Sequence, residues 1–214
     1  MRLGRAVLAG LVVAGLAGAF GVAAPSAERR EAKPPAAVAR ATFAGGCFWC
    51  MEQPFDTLDG VVSTTSGYIG GSVKNPSYEA VSMGRTGHTE AVQVVYDPTR
   101  IGYDRLLYVF WRNVDPFDGH GQFCDKGSQY RPGIFFHDEE QRRLAEASWR
   151  EVQARFKDKV AVEVTPAAEF YAAEDYHQDY YEKNPARYRF YRFGCRRDGR
   201  LEQVWGKEAG GKER

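Results

Sequence analysis

The stretch GGCFWC, residues 45–50, places two glycines and two cysteines directly after a short apolar segment, TFA at residues 42–44. The apolar segment predicts a strand. Beyond the glycines, large apolar residues recur at spacings of 3, 4 and 3, at Phe48, Met51, Phe55 and Leu58. That spacing predicts a helix. Cys47 thus lies where a strand gives way to a helix, and the unpaired N–H groups of a helix start favour a thiolate there.

Further strands and helices alternate along the rest of the chain. Runs rich in β-branched residues or with period-2 alternation predict strands at residues 61–69, 90–96, 131–136 and 160–164. Apolar spacing predicts helices at residues 106–114, 137–156 and 173–183. We also expect a bulge at Gly67 and a short helix, capped by Asn75-Pro76, that carries Tyr78.

This mixture of strands, helices and short connections favours an α+β fold. We predict a two-layer sandwich with a mixed, mostly antiparallel sheet and flanking helices, of the ferredoxin-like kind. A doubly wound parallel sheet ranks second. The long polar loop at residues 115–129 is of a length that is uncommon in compact domains unless the loop is functional or disordered.

The N-terminal residues have the composition of an export segment. Arg2 and Arg5 precede an unbroken run of apolar and small residues at 6–24, and alanine-rich cleavage motifs follow. We expect residues 1–27 to be a signal peptide, or a membrane anchor if they are not cleaved. The protein is therefore expected to be exported and periplasmic.

Three further segments follow the export segment. Residues 28–40, rich in Ala, Pro and charge, predict a flexible linker. Residues 41–190 contain all the predicted strands and helices and form the expected domain. Residues 191–214 are weakly periodic and predict a C-terminal tail.

The net charge and the aromatic content of the chain indicate which kinds of ligand and partner to expect. The chain has 29 Lys and Arg against 28 Asp and Glu, a formal net charge of +1. Proteins that bind nucleic acid usually carry a strong basic patch, so we expect no nucleic-acid partner. Aromatic residues make up 14% of the chain, which is enough to wall a pocket for a neutral ligand.

The four cysteines, Cys47, Cys50, Cys124 and Cys195, admit several chemistries. The first two are one helical turn apart, as in redox pairs and in half of many zinc sites. A closed zinc site needs a second ligand pair, but the other two cysteines are isolated and the histidines form no paired motif, so we expect no metal. An even cysteine count in an oxidising compartment also fits structural disulfides. A cysteine hydrolase with a distant His stays open, although nothing in the sequence selects that His.

Six short blocks follow one another over about residues 41–190. They are GGCFW at 45–49, YEAV at 78–81, GHTEAV at 87–92, YDP at 96–98, DKGSQYR at 125–131 and AEDYHQ at 173–178. In this order they resemble the peptide methionine sulfoxide reductase A family. The resemblance implies a compact α+β enzyme that reduces the S epimer of methionine sulfoxide, free or within oxidised proteins and peptides.

The resemblance also implies a role for residues within these blocks. Cys47 would be the nucleophile, whose thiolate attacks the sulfoxide sulfur, and Glu90 would donate a proton to the oxygen. A carboxylic acid donates at neutral pH only if its pKa is raised, so we expect Glu90 to be partly buried. Tyr78 and Tyr130 would hold the sulfoxide oxygen through their hydroxyls.

Three more residues would complete this site. Phe48 and Trp49 would wall the pocket around the methyl group of the substrate, a small apolar feature that only shape and dispersion recognise. Asp125 would orient its neighbours through hydrogen bonds.

Turnover would leave Cys47 as a sulfenic acid, which a second thiol condenses with to form a disulfide. We rank Cys195 first, because members of this family often place recycling cysteines near the C-terminus. Cys124 in the long loop ranks second, and Cys50 ranks third because its helical turn would have to unwind. An external thioredoxin-like dithiol would then reduce the disulfide, without a bound cofactor. We expect a monomer.

Two functions of other kinds stay open. A thioredoxin-like disulfide oxidoreductase would use Cys47 and Cys50 as its redox pair, but it usually needs a cis-proline opposite the pair, for which Pro132 is a poor candidate. A non-enzymatic secreted domain would instead hold the four cysteines in two structural disulfides.

Overall fold

A computed structural model describes residues 37–211 of the chain. Its strands are β1 (Ala39–Ala44), β2 (Val61–Ile69), β3 (Thr89–Tyr96), β4 (Gly121–Gln122), β5 (Asp125–Lys126), β6 (Gly133–Phe136), β7 (Glu163–Pro166) and β8 (Tyr171–Ala172). Its helices are α1 (Phe48–Asp56), α2 (Tyr78–Ser82), α3 (Tyr103–Trp111), α4 (Glu139–Arg155), α5 (Tyr180–Lys183), α6 (Pro185–Gly194) and α7 (Arg197–Trp205). The predicted export segment, residues 1–27, lies outside the described residues, as does the predicted linker up to residue 36.

The main sheet has six strands in the order β7-β6-β1-β3-β2-β8. Its strands pair antiparallel except for β6 and β7, which are parallel. Strands β4 and β5 form a separate two-stranded sheet within the predicted long loop. No helix within residues 37–211 is long and apolar enough to cross a membrane.

Period-2 alternation sends one face of the sheet toward the helices. Phe43 of β1 and Val92 of β3 pair in register and lie in the same buried cluster as Phe48 of α1, Leu106 of α3 and Trp205 of α7. The opposite face is covered by a smaller cluster against residues 167–170. The predicted α+β sandwich with a mixed, mostly antiparallel sheet is therefore confirmed.

The bulge in β2 and the cap of α2 differ from the predicted ones. The bulge in β2 lies between Val61 and Ser63, not at Gly67. Gly67 is needed for a different reason, because an added Cβ would lie 2.3 Å from the Tyr171 carbonyl oxygen. The short helix α2 is capped by Ser77, whose hydroxyl accepts from the Ala80 N–H at 3.4 Å.

The predicted helix at residues 173–183 is also shorter than expected. Only Tyr180–Lys183 is helical. The Gln178 side chain hydrogen-bonds to the Ser66 backbone as the backbone of a neighbouring strand would. It accepts from the Ser66 N–H at 2.8 Å and donates to the Ser66 carbonyl at 2.9 Å. These two bonds hold the turns at residues 175–179 against the edge of the sheet.

The C-terminal segment is folded, in contrast to the predicted tail. Residues up to 211 form α6, α7 and a final 3₁₀ turn. Leu201 and Trp205 are buried in the main core, and the Trp205 indole N–H donates to the Val114 carbonyl at 2.9 Å. The buried residues of α7 are Arg197, Leu201 and Trp205. So few buried positions leave little apolar periodicity in a basic sequence, which is why the helix was not predicted.

Candidate active site

Cys47 lies at the turn that joins β1 to α1. It is the N-cap of α1, and its carbonyl accepts from the Cys50 N–H at 3.0 Å. Gly46 makes the turn with a φ of +80°, and an added Cβ there would lie 2.6 Å from the Cβ of Gln122. Only glycine fits this position, which explains the second glycine of the GGCFWC motif.

Glu90 of β3 lies directly against the start of α1. It is 2% exposed, and its Oε2 accepts from the Phe48 N–H at 3.0 Å. Burial raises the pKa of Glu90 to about 8; the Phe48 N–H opposes the shift, and the charges of Asp125 and Cys50 add to it. The carboxyl is therefore protonated at neutral pH, as its predicted role as proton donor requires.

Cys47 and Cys50 are both free thiols and both buried, at 7% and 1% exposed. Burial raises the pKa of Cys47 well above its usual value, and its hydrogen bond to Cys50 and the charge of Glu90 raise it further. That same hydrogen bond lowers the pKa of Cys50 to about 7, against burial and with help from the positive charge of Arg197. When no substrate is bound, Cys50 therefore ionises more readily than Cys47.

Arg197 is a buried residue of this site that the sequence did not single out. Its Nη2 donates to the Gly45 carbonyl at 3.0 Å and to the Asn113 carbonyl at 2.7 Å, and it lies 3.0 Å from the Met51 Sδ. The guanidinium also stacks 4.3 Å above the Phe123 ring. It thus fixes the turn before Cys47 and brings a cation close to the cysteine pair.

An aromatic wall borders the cysteines. Trp49 stacks on Tyr180 with ring centroids 3.6 Å apart, and its indole N–H donates to the His177 Nδ1 at 3.0 Å. The His177 ring lies 4.9 Å from that of Phe48 and 4.4 Å from that of Tyr78. Burial lowers the pKa of His177, so the ring is neutral and carries its proton on Nε2. Phe48 and Trp49 are thus part of one aromatic cluster, in which His177 joins them.

Tyr78 and Tyr130 both lie half-buried near Glu90. Burial first, and then the charge of Glu90, raise the pKa of Tyr78 to about 12 and that of Tyr130 further still. Both hydroxyls therefore keep their protons and act as donors. The Tyr78 backbone is held by Glu174, whose Oε1 accepts from its N–H at 2.9 Å and whose Oε2 accepts from the Tyr68 hydroxyl at 2.8 Å.

Asp125 of β5 approaches the site from the long loop. Its Oδ2 accepts from the Tyr191 hydroxyl of α6 at 2.5 Å. The Tyr191 ring packs edge-on against Trp49, with centroids 5.8 Å apart. Asp125 therefore orients an aromatic neighbour through a hydrogen bond, and Tyr191 is a further residue that the sequence did not single out.

Cys124 and Cys195 form a disulfide. Cys124 is exposed and directly precedes Asp125, while Cys195 follows α6 one helical turn after Tyr191. Of the three cysteines ranked as partners of Cys47, the two ranked first are thus bonded to each other. Cys50, ranked last, is the free thiol that contacts Cys47.

Four residues of this site that the sequence did not single out differ in the signal they left. His177 and Glu174 stand within the AEDYHQ block and could have been selected from it. Arg197 and Tyr191 stand in the basic segment after residue 190, where no periodicity distinguishes a buried arginine from a solvated one.

The arrangement combines a buried cysteine pair, a protonated carboxyl, two tyrosine hydroxyls and an aromatic wall. Such a site can attack an electrophilic centre through sulfur, protonate the group that leaves it, and bind a small apolar substituent. Comparison with known proteins identifies the chemistry. A family model for peptide methionine sulfoxide reductase matches residues 39–209.

Individual relatives agree with the family match. The peptide methionine sulfoxide reductase MsrA of Bacillus licheniformis is 49% identical over 170 residues, which cover 78% of this chain and 94% of the relative. The reduced form of Mxr1 from Saccharomyces cerevisiae has a similar structure, with a TM-score of 0.67 and 36% identity over 71% of this chain and 88% of that one. Mxr1 in complex with Trx2 matches with a TM-score of 0.50 and 26% identity, over 71% of this chain and 91% of that one.

Proposed function

The chain belongs to the peptide methionine sulfoxide reductase family, and we propose the route by which it reduces methionine sulfoxide to methionine. One observation carries the proposal: the buried Glu90 carboxyl accepts from the N–H of the residue that follows Cys47. A nucleophile and a protonated acid are thereby held at the same helix start. The substrates are oxidised peptides and proteins that carry the S epimer of the sulfoxide.

The first step uses both cysteines. As the Cys47 sulfur bonds to the sulfoxide sulfur, its proton passes to the Cys50 thiolate, which already accepts a hydrogen bond from it. Glu90 gives its proton to the sulfoxide oxygen, with Tyr78 and Tyr130 as the oxygen's hydrogen-bond donors. Collapse of this adduct releases methionine and leaves the oxygen on Cys47 as a sulfenic acid. Two electrons pass from the cysteine to the substrate.

The aromatic wall supplies recognition in this step. Phe48 and Trp49 contact the substrate's methyl group, and Trp49 is held in place by its stacking on Tyr180 and its bond to His177. A fixed indole excludes water from the sulfur centre, which strengthens the hydrogen bonds to the developing charge on oxygen.

Cys50 then resolves the intermediate. Its thiol, protonated in the first step, condenses with the sulfenic acid to give a Cys47–Cys50 disulfide and one water molecule. Cys50 is 1% exposed, so a protein donor has poor access to this disulfide. Thiol–disulfide exchange with Cys195 and Cys124 would restore the two thiols and form the Cys124–Cys195 disulfide, whose Cys124 is exposed.

The external reductant is a thioredoxin-like dithiol that reduces the Cys124–Cys195 disulfide. The complex of Mxr1 with Trx2 supports this kind of donor. Neither alternative function suggested by the sequence is supported. The family match argues against a thioredoxin-like disulfide oxidoreductase. The free thiols of Cys47 and Cys50 do not fit a domain with two structural disulfides.

Export and a monomeric state remain part of the proposal, on the sequence alone. The family match begins at residue 39 and leaves the predicted export segment outside it. Fractionation of cells followed by N-terminal mass determination would test export and cleavage, and size-exclusion chromatography with light scattering would test the monomer.

Cysteine variants test the route, with methionine formation as the measurement. With dithiothreitol as reductant, Cys47→Ser should form no methionine, while Cys195→Ser should retain turnover. With thioredoxin as reductant, Cys195→Ser should lose turnover. Undiminished turnover of Cys195→Ser with thioredoxin would show that the donor reduces the Cys47–Cys50 disulfide directly, and would refute the relay.

A further inference from the structure

Three carboxylates converge where α1 packs against the residues that lead into α5. They are Glu52, Asp56 and Asp179, and one oxygen from each lies within 4.8 Å of the other two. Glu52 is buried, and the two aspartates are half-buried. We call these three residues the carboxylate triad. It takes no part in the sulfoxide chemistry above.

Glu52 is the unusual member of the triad. The residue is 0% exposed, and within residues 37–211 neither of its carboxylate oxygens makes a hydrogen bond. The Ser66 hydroxyl and the Asp179 N–H lie near enough to lower its pKa, without completing a hydrogen bond. The Ser66 Oγ is itself buried and without a partner in this part of the chain. A buried carboxylate with no partner is costly, so the site requires either a proton or a cation.

The neighbours of the triad supply little positive charge. Both oxygens of Asp56 accept from neutral hydroxyls, those of Thr64 at 2.6 Å and Tyr181 at 3.1 Å. The one ion pair recorded for the triad among the described residues joins Lys183 to Asp179 at 3.4 Å, with both side chains about half exposed. Burial, followed by the charges of Asp56 and Asp179, raises the pKa of Glu52 to about 7. The inner part of the triad therefore has a deficit of positive charge.

We propose that the carboxylate triad binds a hard divalent cation, with Glu52 as its inner ligand and Asp56 and Asp179 as its outer ligands. All the donors are oxygens, which suits Ca²⁺ and Mg²⁺ rather than softer metals. Ca²⁺ is the better match, because it accepts irregular sets of six to eight oxygen ligands, whereas Mg²⁺ demands near-ideal octahedral geometry. The Ser66 hydroxyl and water would complete its coordination.

The cation would join two parts of the enzyme that meet at the active site. Glu52 and Asp56 lie on α1, the helix that follows Cys47. Asp179 directly precedes Tyr180, on which Trp49 stacks, and lies two residues after His177. A bound ion thus stabilises the packing of α1 against the segment that positions the aromatic wall. Its role is structural, and the reduction itself needs no metal.

Calcium titration of the purified full chain tests the site. After treatment with a chelator and its removal, isothermal titration with CaCl₂ should show one ion bound per chain. At a free Ca²⁺ concentration 100 times the Kd, the melting temperature should rise by about 5 to 10 °C. Glu52→Gln, which keeps the side-chain shape and removes the charge, should weaken binding at least tenfold. Asp179→Asn should also weaken it, and tests the same ligand set if Glu52→Gln does not fold.

Asp175→Asn is the matched control, because it removes the same charge from an exposed position of the same segment, outside the triad. It should bind Ca²⁺ as the wild type does. The proposal is overturned if the wild type shows neither saturable binding nor a rise in melting temperature up to about 10 mM Ca²⁺, a concentration above the Kd of weak extracellular sites. Equal affinity of Glu52→Gln and the wild type would overturn it as well.

Discussion

Glu90→Gln separates the proton-donating role of Glu90 from its place in the fold. The amide has nearly the same shape as the carboxyl, and its oxygen can still accept from the Phe48 N–H, which lies 3.0 Å from Oε2. What the variant loses is a proton that it can transfer. If Glu90 protonates the sulfoxide oxygen, the chemical step must slow while the start of α1 keeps its geometry.

The size of the effect follows from the raised pKa. With a pKa of about 8, Glu90 is about 90% protonated at pH 7, whereas a carboxyl at the usual value of 4.5 would be about 0.3% protonated. Burial therefore increases the fraction of competent acid by roughly 300-fold. Loss of a positioned general acid typically slows a reaction by about 10²- to 10⁴-fold, and we expect a decrease in this range.

Single-turnover kinetics with pre-reduced enzyme measures the chemical step without the reductant's own pH dependence. The wild-type rate should fall as pH rises through about 8, because Glu90 loses its proton there. The rate of Glu90→Gln should be low and should lack this descending limb. Glu79→Gln, an exposed position on α2, is the matched control and should follow the wild type.

Stability should fall over the same pH range as the rate. The folded pKa of Glu90 lies above the unfolded value, so its contribution to stability is complete below about pH 4.5 and is lost as pH rises through about 8. A difference of about 3.5 pH units corresponds to at most about 5 kcal/mol. Urea unfolding at pH 6 and pH 9 should thus show that Glu90→Gln loses less stability than the wild type on going to the higher pH.

Two results would refute this reasoning about Glu90. One is a Glu90→Gln rate within about threefold of the wild type at pH 7, since an acid catalyst contributes far more. The other is a descending limb near pH 8 that persists in the variant, because another group would then be titrating.

Three further predictions concern residues around the cysteines. Arg197→Met should lower the free energy of unfolding by about 3 kcal/mol in urea titrations, because the Gly45 and Asn113 carbonyls lose a buried donor. It should also raise the pKa of Cys50, measured by thiol-alkylation kinetics, because the positive charge of Arg197 lowers that pKa. An unchanged Cys50 pKa would contradict this charge effect. Trp49→Phe removes the N–H that binds His177 and should raise KM more than it lowers kcat in steady-state assays with a sulfoxide peptide, whereas an unchanged KM would argue against the wall's role in binding. Tyr130→Phe should slow single turnover by roughly 10²-fold, as expected for a donor to the reacting oxygen, and a wild-type rate would remove it from the site.

Local patterns in the sequence predicted the elements that carry the chemistry. The glycine pair before Cys47 and the apolar spacing after it located the turn from β1 to α1, and the alternation of residues 90–96 located β3, which carries Glu90. These features depend on neighbours within a few residues, so the sequence records them directly. The burial of Glu90, which raises its pKa, was expected from the resemblance to the family and not from the alternation.

Long-range contacts determined what the sequence could not predict. Cys124 and Cys195 are separated by 71 residues, and nothing local to either shows that they pair. Arg197 is buried by contacts with residues 45 and 113, far away in the chain, although its surroundings read as a basic tail. The pKa order of Cys47 and Cys50 also depends on burial and on the charge of Arg197, neither of which is visible from a helix start alone.

The most direct test of Cys47 as the nucleophile is a single turnover of a chain in which it is the only cysteine. With Cys50, Cys124 and Cys195 each replaced by Ser, the enzyme has no thiol to resolve the sulfenic acid. Reaction to completion with a sulfoxide peptide should give one methionine per chain and add one oxygen atom to the peptide that contains Cys47, measured by mass spectrometry. Methionine formed without an added oxygen on the Cys47 peptide, or an added oxygen at any other residue, would contradict attack by Cys47.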